Sequence, residues 1–387
     1  MRIGVVGGGP AGLYFALLMK RQNPAHSIRV AEQNPADATF GFGVVFSDRA
    51  LGFLEEADPE SYQDIEAQLQ TWDDQAIVHR DQEVRIDGLG FSGIARLQLL
   101  QILQAHCRDA GVELRFEQRI SDLDTFADCD LIVGADGANS VVRGAYPEWF
   151  QPSLQVLSNR YVWYGTAQPF DCLTLTFREN HDGAFVAHHY RYGEVRSTFI
   201  VECDASSWER AGFGGMSEDQ SRRYCERLFA ADLGGHPLLT NRSLWINFRA
   251  VTNRNWSYRN VVLIGDALRT VHFSVGSGTR MALQDSVALA RAFAGTQDVE
   301  QGLRNFEAVR RPQVEEFLKV AAESFQWYER FRDKLSLDPL PFTYDYVMRS
   351  GRIGHARLAQ RSPRFAAAYG TYLSQRTAVT AVPGTDK

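Results

Sequence analysis

The chain has 387 residues, of which 44% are hydrophobic and 23% are charged, and its formal net charge is −6. That length exceeds one typical domain, and the composition is that of a globular protein with a sizeable core. The acidic balance argues against a general nucleic-acid surface, because a phosphate backbone requires an excess of positive charge. No stretch of the sequence reaches the length of a membrane span. We therefore expect neither a nucleic-acid nor a membrane partner.

The cysteines and the start of the chain predict a cytoplasmic enzyme. Five cysteines occur, at Cys107, Cys129, Cys172, Cys203 and Cys225. They show no CxxC pair and no metal-ligand spacing, which predicts reduced, mostly buried thiols and no metal site. The first strand is predicted to begin at residue 2, which leaves no room for a signal peptide.

The first 150 residues predict an α/β unit. In chain order the predicted elements are strand 2–6, helix 11–21, strand 27–32, a mixed and loop-rich stretch at 40–95, helix 95–110, and strands 112–116 and 131–133. The first three form a βαβ unit with a glycine turn after its first strand. The helix at 95–110 follows from Leu97, Leu100 and Leu103, which share one helical stripe.

Beyond residue 150 the sequence becomes β-rich and aromatic. The predicted elements are strands 161–166, 173–178, 184–192 and 197–202, helix 217–231, strand 261–264, helix 278–294, an amphipathic helical stretch at 300–333, further helices and a frayed tail at 377–387. Turn signals such as Asp182-Gly183 separate the first four strands, which predicts an antiparallel sheet inserted into the α/β unit. Ser217 is the expected N-cap of its helix, and Pro312 marks a break or a helix start.

A dinucleotide fingerprint occupies the first glycine turn. In Gly7-x-Gly9-x-x-Gly12, the first glycine permits the tight turn, the second lets the backbone approach a pyrophosphate, and the third lets helix and strand pack closely. Glu32 follows twenty residues after Gly12 and can accept hydrogen bonds from ribose hydroxyls. A purely structural glycine turn is the alternative. The predicted contacts here are Gly7, Gly9, Pro10, Ala11, Gly12, Glu32 and Gln33.

Two aspartates follow buried strands. Asp136 lies in a Gly-Ala-Asp-Gly turn, where a carboxylate can order backbone amides around a pyrophosphate; a simple turn is the alternative. Asp266 follows the strand at 261–264, where it can accept hydrogen bonds from the ribityl hydroxyls of a flavin. An N-cap role for Asp266 is compatible with this interpretation.

A second glycine pair precedes the helix at 278–294. The amides of Gly276, Gly278 and Thr279, together with the helix dipole, can stabilise negative charge on the N1–C2=O edge of a reduced flavin. A flexible loop is the alternative. Arg96, at the start of its helix, can reach the FAD phosphates or ribityl chain, although a surface salt bridge is an equally good interpretation.

The order of these motifs predicts one FAD stretched across a single α/β domain. The fold class is therefore an FAD-binding Rossmann-like domain with an inserted antiparallel β-sheet substrate domain and C-terminal helices. We expect the FAD-binding domain to be discontinuous, over residues 1–150 and 255–335. Residues 151–254 would form the substrate domain, and residues 336–387 the C-terminal helices and tail.

The chain resembles the single-component FAD aromatic hydroxylases of the p-hydroxybenzoate hydroxylase superfamily. It is most similar to the branch of the salicylyl-CoA 5-hydroxylases and 2-aminobenzoyl-CoA monooxygenases, with the violacein-pathway hydroxylase of a tryptophan-derived intermediate as a close cousin. The resemblance extends to about residue 335, and its markers are segments 41–45, 161–166, 187–190, 197–202 and 272–279.

The sequence departs from the wider superfamily at three points. Leu268-Arg269 stands where Ala-His is usual, Phe273 replaces a proline, and Arg280 replaces an asparagine. The last two fit the CoA-ester branch. The first puts details of the flavin contacts in doubt, but not flavin binding.

The resemblance implies an NAD(P)H- and O2-dependent ring hydroxylation. In such enzymes NADH or NADPH reduces FAD, oxygen adds at the flavin C4a, and the hydroperoxide attacks an electron-rich ring. A base that takes a phenol proton would help. His188 is the preferred candidate, with Tyr190 on the same strand face. His272 is the second. An inert sheet histidine and a histidine that only bonds its own loop are the alternatives.

The expected substrate is an aryl-CoA thioester such as salicylyl-CoA. The alternative is an indole or tryptophan-derived metabolite or a free aromatic acid, and a non-catalytic flavoprotein is a third possibility. The phosphates of CoA would need arginines, and six lie in or near the inserted sheet: Arg160, Arg178, Arg191, Arg196, Arg249 and Arg254. A solvated charged face explains each of them equally well. The sequence leaves open the ring position, NADH versus NADPH, and whether the protein is a monomer or a homodimer.

Overall fold

A computed structural model describes residues 1–47 and 51–380, with side chains up to residue 376. The helix that ends the described chain continues to Thr380, into the segment expected to be a frayed tail, and residues 381–387 lie outside the described part. Within the described residues, no helix is both long and apolar enough to cross a membrane.

The strands of the described chain are numbered in order of sequence: β1 (Arg2–Val6), β2 (Ser27–Ala31), β3 (Gly43–Ser47), β4 (Gln70–Trp72), β5 (Gln75–His79), β6 (Gln82–Ile86), β7 (Phe91–Ala95), β8 (Glu113–Arg115), β9 (Leu131–Gly134), β10 (Pro152–Thr166), β11 (Leu173–Asn180), β12 (Gly183–Gly193), β13 (Arg196–Cys203), β14 (Leu238–Leu239), β15 (Ile246–Asn253), β16 (Ser257–Tyr258) and β17 (Val261–Leu263).

The α-helices of the same residues are α1 (Pro10–Gln22), α2 (Gly52–Ala57), α3 (Pro59–Glu66), α4 (Arg96–Asp109), α5 (Val141–Ala145), α6 (Pro147–Phe150), α7 (Ala205–Arg210), α8 (Glu218–Leu228), α9 (Ala230–Leu233), α10 (Gly278–Ala292), α11 (Val299–Tyr328), α12 (Pro339–Met348), α13 (His355–Arg361) and α14 (Pro363–Thr380). Short 3₁₀ helices include Gly265–Ala267 and Phe273–Val275.

The first sheet is the predicted Rossmann-like one. Its order is β16-β17-β9-β1-β2-β8, and every pairing is parallel except that of the edge strand β16. The central strands are short buried apolar runs, as strands covered on both faces must be. Helices α1 and α10 pack on each other beside it, so the two halves of the discontinuous α/β unit meet at this sheet. The predicted fold class is confirmed.

The second sheet is mostly antiparallel, in the order β14-β10-β13-β12-β11-β5-β6, with β15 also pairing with β10. Strand β5 joins β11 in parallel. The hairpin of β5 and β6 thus belongs to the second sheet although it lies within residues 1–150. A sequence boundary at residue 150 misses this exchange, because a parallel pairing between distant strands leaves no local turn signal.

The stretch predicted to be loop-rich contains regular structure. Strands β3, β7 and β4 form a three-stranded antiparallel sheet, and helices α2 and α3 lie between β3 and β4. The partner strands β3 and β7 are separated by more than forty residues, so their pairing has no hairpin signature in the sequence.

Helix α11 runs without interruption through Pro312. The expected break at this proline was wrong, since the rest of the helix is held by packing at both ends. Phe306 and Val314 lie in the core of the first sheet. Tyr328, in the last turn, lies in a second core that includes residues of β11, β12 and α12.

Two smaller predictions are confirmed. Ser217 caps α8 in a reciprocal capping box with Gln220. All five cysteines are free and buried.

Candidate active site

One large cavity of about 1740 Å³ lies between the first two sheets. Of the predicted cofactor contacts, it is lined by Gly7, Gly9, Pro10, Ala11, Glu32, Gln33, Arg96, Asp136, Asp266, Gly276, Gly278 and Thr279. Gly12 does not line it; a Cβ there would come 2.1 Å from the Gly7 carbonyl oxygen, so its role is close packing of helix on strand. The structure therefore brings together motifs that are more than 250 residues apart in sequence.

The N-terminal end of α1 faces this cavity and has no side-chain cap. Its N-cap, Gly9, provides no side-chain hydrogen bond, and Pro10 occupies the first turn. A Cβ on Gly9 would meet no atom within 4 Å, so there is open space directly before the helix. Gly7 makes the turn possible with a φ of +107°, and a Cβ on it would lie 2.4 Å from the Ala135 carbonyl oxygen. Unpaired amides and the helix dipole make such an end an anion site.

Two carboxylates border that helix end and are held in place by amide donors. Glu32 Oε2 accepts a hydrogen bond from the Gly8 amide at 2.8 Å. Asp136 accepts from the Ser140 hydroxyl at 2.5 Å and the Val141 amide at 2.7 Å, and thereby fixes the start of α5. Burial raises the pKa of the Asp136 carboxyl, although these hydrogen bonds oppose the shift. Both residues sit where the sequence predicted contacts to a dinucleotide.

Arg96 and Asp266 face the same cavity. Among the described residues, none accepts a hydrogen bond from the Arg96 guanidinium. Burial lowers the pKa of Arg96, and the charge of Asp266 opposes that shift. Burial likewise raises the pKa of the Asp266 carboxyl, opposed by Arg96 and Arg269. A half-buried guanidinium and a carboxylate exposed to the cavity, both with free hydrogen-bonding atoms, are suited to a bound polar cofactor.

The Gly276–Gly278 loop leads into α10, whose N-cap Ser277 forms no side-chain cap. The segment just before this loop is held by buried ion pairs. Asp285 accepts hydrogen bonds from Arg269 at 2.6 Å and from Arg310 at 2.9 Å, and all three side chains are buried. Of the unusual Leu268-Arg269 pair, Arg269 therefore belongs to a buried ion network beside the Gly276–Gly278 loop, Leu268 is buried in the core, and neither lines the cavity.

These observations fit FAD. Two uncapped helix ends, one open glycine turn and the Arg96–Asp266 pair lie along one cavity, in the order needed by an adenine dinucleotide that ends in a flavin. The cavity is larger than the roughly 300–1,000 Å³ of a pocket for one small ligand, so a second ligand can be held beside the dinucleotide.

His188 lies on the wall of this cavity and forms a buried pair with the carboxylate of Glu202 behind it. His188 Nε2 is 3.1 Å from Glu202 Oε2, and their side chains are 8% and 1% exposed. Glu202 also accepts from Asn159 at 2.9 Å. Burial on its own would raise the pKa of Glu202, but the hydrogen bond with His188 and the nearby His272 lower it overall. Among the described residues, no hydrogen bond reaches Nδ1 of His188.

The two neighbouring histidines are placed differently. His189 points to the opposite face of the sheet, where it bonds Thr176 and stacks on Phe199. His272 does not line the cavity. Its Nδ1 accepts from the Ser274 amide at 3.2 Å, and burial lowers its pKa to about 4 against the pull of Glu202. This is the loop-bonding role that was the alternative for His272.

Comparisons with known proteins agree with this site. The family model described as "FAD binding domain" matches residues 93–321. A salicyloyl-CoA 5-hydroxylase from a Streptomyces species is 41% identical over 377 residues, 94% of this chain and 72% of the relative. The chain belongs to the FAD-dependent aromatic hydroxylases.

A second relative supports this assignment, and a solved structure shares the fold. The protodeoxyviolaceinate monooxygenase of Chromobacterium violaceum is 35% identical over 355 residues, 90% of this chain and 94% of the relative. Among solved structures, 2-methyl-3-hydroxypyridine-5-carboxylic acid oxygenase has a TM-score of 0.70 at 17% identity and covers 93% of this chain and 95% of its own; this likeness concerns the fold alone.

In this hydroxylase the marker segments of the branch meet around one loop. The segment at 41–45, which includes the start of β3, crosses the second sheet so closely that a Cβ on Gly43 would come 2.4 Å from Tyr192. The Tyr190 hydroxyl donates to the Gly43 carbonyl at 2.9 Å, and the Gly43 amide donates to Thr198 at 3.0 Å. Tyr190 thus lines the cavity with its hydroxyl already engaged.

The arginines proposed for the phosphates of CoA lie elsewhere. None of the six lines the cavity. Arg178 pairs with Asp232 at 2.7 Å, and Arg160 packs over the Trp208 ring. The six were chosen because they are close to the inserted sheet in sequence. The arginines that do line the cavity come from the first and last thirds of the chain: Arg96, Arg119, Arg280, Arg349, Arg352, Arg357 and Arg361.

Glu202 was also missed as a site residue. It was noted only as the end of a strand, yet it is the charged partner of His188. A glutamate in an otherwise apolar, buried strand is the signal that could have found it, because such a residue is almost never buried without a partner.

Proposed function

We propose that this protein is an NAD(P)H- and O2-dependent aromatic ring hydroxylase that acts on an aryl-CoA thioester such as salicyloyl-CoA. The observation that carries the proposal is the position of His188 on the wall of the cavity that also contains the FAD motifs, with Glu202 hydrogen-bonded behind it. The 41% identity to a salicyloyl-CoA 5-hydroxylase over nearly the whole chain supports the choice of substrate.

The overall reaction balances with the reactants named. One Ar–H bond is replaced by Ar–OH, the second oxygen atom of O2 leaves as water, and NAD(P)H supplies the hydride, with one proton taken from solvent. The chemistry that bound FAD supplies is transfer of these electrons and activation of O2. Gly9, Glu32, Arg96, Asp136 and Asp266 are the residues that would hold it.

His188 would take the proton of the ring hydroxyl. In the tautomer that donates Nε2–H to the Glu202 carboxylate, Nδ1 carries a lone pair and has no partner among the described residues. A phenol proton transferred to Nδ1 leaves an imidazolium that the buried carboxylate stabilises. Removal of the phenol proton raises electron density on the ring, which favours attack by an electrophilic oxygen.

Aromatic side chains would position the ring and exclude water. Tyr328 stacks on His188 with centroids 5.0 Å apart, and the Phe273 ring lies 5.3 Å from His188. Both residues line the cavity with Tyr190. An apolar aromatic wall beside one hydrogen-bonding pair orients a planar substrate and strengthens each polar contact inside.

Hydroxylation of an indole-derived metabolite is the second candidate, favoured by the 35% identity to the protodeoxyviolaceinate monooxygenase. Stopped-flow flavin reduction and product analysis separate the two. Purified holoenzyme is mixed with NADH or NADPH and with salicyloyl-CoA, salicylate or an indole carboxylate.

Rapid reduction with the thioester and formation of a ring-hydroxylated thioester are expected. Hydroxylation of free acids or indoles with no response to thioesters would overturn the choice of substrate. Retention of FAD without consumption of NAD(P)H in the presence of any of these aromatic compounds would favour a non-catalytic flavoprotein.

A further inference from the structure

We propose that Arg280, Arg352, Arg357 and Arg361 form a phosphate-binding site for the CoA portion of the substrate. These four residues are called the arginine cluster below. The inference rests on the proposed function for its choice of ligand, but the site itself follows from contacts and charge. Nothing in the matched family segment accounts for it, because three of the four arginines lie beyond residue 321, where that match ends.

The arginine cluster comes from the first turn of α10 and from the chain at and just before α13. Arg280 lies in the first turn of α10, Arg352 precedes α13, and Arg357 and Arg361 lie on α13. All four line the main cavity. The guanidinium groups of Arg280 and Arg352 both lie over the Phe317 ring, 5.2 Å and 5.7 Å from its centroid, so one aromatic residue holds the two cations side by side.

No counterion neutralises these charges. Among the described residues, no carboxylate forms an ion pair with any member of the arginine cluster, and Nε of Arg280 is buried without a partner. Arg357 and Arg361 contact only the carbonyls of Arg352 and Gly88, each at 3.5 Å. Burial lowers the pKa of Arg280 to about 10, and Arg352 and Arg310 add to that shift. Arg352, Arg357 and Arg361 are solvent-exposed, so their guanidinium groups are accessible to an anion, and a bound anion would offset the mutual repulsion of the four charges.

The cavity as a whole is electropositive. Its lining in the described chain includes seven arginines and four carboxylates, which are Glu32, Asp73, Asp136 and Asp266. Three of these carboxylates belong to the FAD motifs, so the excess of positive charge lies on the wall formed by α13 and the start of α10. This contrasts with the net charge of −6 for the whole chain.

A short series of contacts connects the arginine cluster to His188. His188 stacks on Tyr328, and the guanidinium of Arg349 lies over Tyr328 and Tyr346. Arg349 is itself held by Ser324 and the Ser274 carbonyl, and Arg352 follows three residues later. A ligand with its aromatic ring at His188 and phosphates at the arginine cluster would lie along one continuous wall.

The chemistry of this site is that of a nucleotide diphosphate on a long linker. Guanidinium groups bind phosphate oxygens in bidentate pairs, and several together select a multiply charged group. Two ligands of the reaction carry such phosphates, a CoA thioester and NAD(P)H. We assign the arginine cluster to the thioester because it shares the wall with His188, where the ring is expected.

The test measures binding of coenzyme A to the FAD-loaded protein by calorimetry, for wild type, R352Q and R357Q. The control is R223Q, which removes an exposed arginine of α8 that pairs with Asp219 and does not line the cavity. Loss of one charge-assisted contact should raise the Kd for coenzyme A about tenfold in R352Q and in R357Q. R352K should lose less than R352Q, because it keeps the charge. R223Q should bind like wild type.

Two further arms identify the ligand. NADPH binding is titrated on the same proteins, and KM is measured for salicyloyl-CoA and for salicyloyl-pantetheine, which has no phosphates. The KM for the CoA thioester should rise more than the KM for the pantetheine thioester. An equal Kd for coenzyme A in all variants would overturn the inference and leave the proposed function standing. A loss confined to NADPH would also overturn it, by making the arginine cluster the coenzyme site.

Failure of the proposed function has a different signature. If wild type binds coenzyme A and the variants do not, but salicyloyl-CoA is not hydroxylated, the phosphate site is upheld and the proposed reaction is wrong. If wild type neither binds coenzyme A nor hydroxylates its thioesters, both are wrong.

Discussion

Glu202 lies diagonally across from His188 on adjacent strands of the second sheet, and their side chains meet at 3.1 Å. Each residue alone has an ordinary explanation, a buried sheet histidine or the polar end of a strand. Together they fit the proton acceptor that we propose, because a carboxylate fixes the tautomer of its imidazole partner and stabilises the protonated form of that imidazole.

The first prediction concerns this pair. Glu202→Gln keeps the shape and the hydrogen bond from Asn159 but removes the charge, so kcat for ring hydroxylation should fall about 10²- to 10⁴-fold. FAD content should stay at the wild-type level. The measurement is the rate of formation of hydroxylated product at saturating substrate, across pH, with the exposed Glu209→Gln as control. A wild-type kcat and pH profile in Glu202→Gln would show that the pair has no part in proton transfer.

The second prediction concerns stability against pH. Burial lowers the pKa of His272 to about 4 and that of His189 to about 3. The ordinary pKa of histidine is about 6.5. Below that pH, the unfolded state therefore binds more protons than the folded state. Their contribution to stability is complete above about pH 6.5 and is lost as pH falls. For each histidine, the free energy of unfolding should fall by about 2 kcal/mol between pH 6.5 and pH 5.

Denaturant unfolding of the holoprotein at several pH values measures this loss. His272→Asn should show a shallower decline than wild type, whereas the exposed His181→Asn should decline in parallel with wild type. Parallel curves for wild type and His272→Asn would contradict the prediction.

The third prediction separates two glycines of the fingerprint. Gly7→Ala should impair folding, because its φ of +107° and the Ala135 carbonyl oxygen 2.4 Å from a Cβ leave no room; strain of this kind costs about 1–3 kcal/mol or more. Gly9→Ala should fold normally, since nothing lies within 4 Å of its Cβ, but the added methyl group enters the space before α1. Its affinity for FAD should fall at least about tenfold, or 1.4 kcal/mol.

Thermal unfolding of the apoproteins and FAD titration distinguish the two effects. Gly144→Ala, on α5 and also without neighbours within 4 Å, is the control for both. A stable Gly7→Ala protein, or full FAD affinity in Gly9→Ala, would disprove the corresponding half of the prediction.

The fourth prediction concerns the ion network beside the Gly276–Gly278 loop. Asp285→Ala leaves Arg269 and Arg310 buried without an anion and should lower the free energy of unfolding by about 3–5 kcal/mol. Glu300→Ala removes the exposed partner of Arg304 and should cost less than about 1 kcal/mol. Urea unfolding of both variants provides the comparison, and similar losses would argue against the buried network.

The shared location of the residues predicted to contact FAD could be predicted from sequence because their signals are local. Gly7, Glu32, Asp136 and Asp266 each follow a strand of a parallel sheet, and such strands place their carboxyl ends at one edge. A motif read along the chain therefore also gives a position in space.

The substrate side could not be predicted in the same way. Glu202 reaches His188 only through the register of two paired strands, and the arginine cluster forms where the chain around α13 meets the start of α10. Neither pairing leaves a local pattern. The arginines chosen from sequence failed for this reason, since proximity in the chain does not determine which face of a sheet a side chain occupies.

Helix α11 gives the molecule one further property. Its 30 residues span about 45 Å at 1.5 Å per residue. Apolar residues from Leu303 to Ala321 lie in the core of the first sheet, and Tyr328 in the last turn lies in the core of the second. Because one continuous helix packs into both cores, we expect that neither sheet can unfold or be replaced independently of the other. Heating should give one calorimetric transition, and chimaeras that graft a new substrate sheet should succeed only if they carry the matching end of this helix.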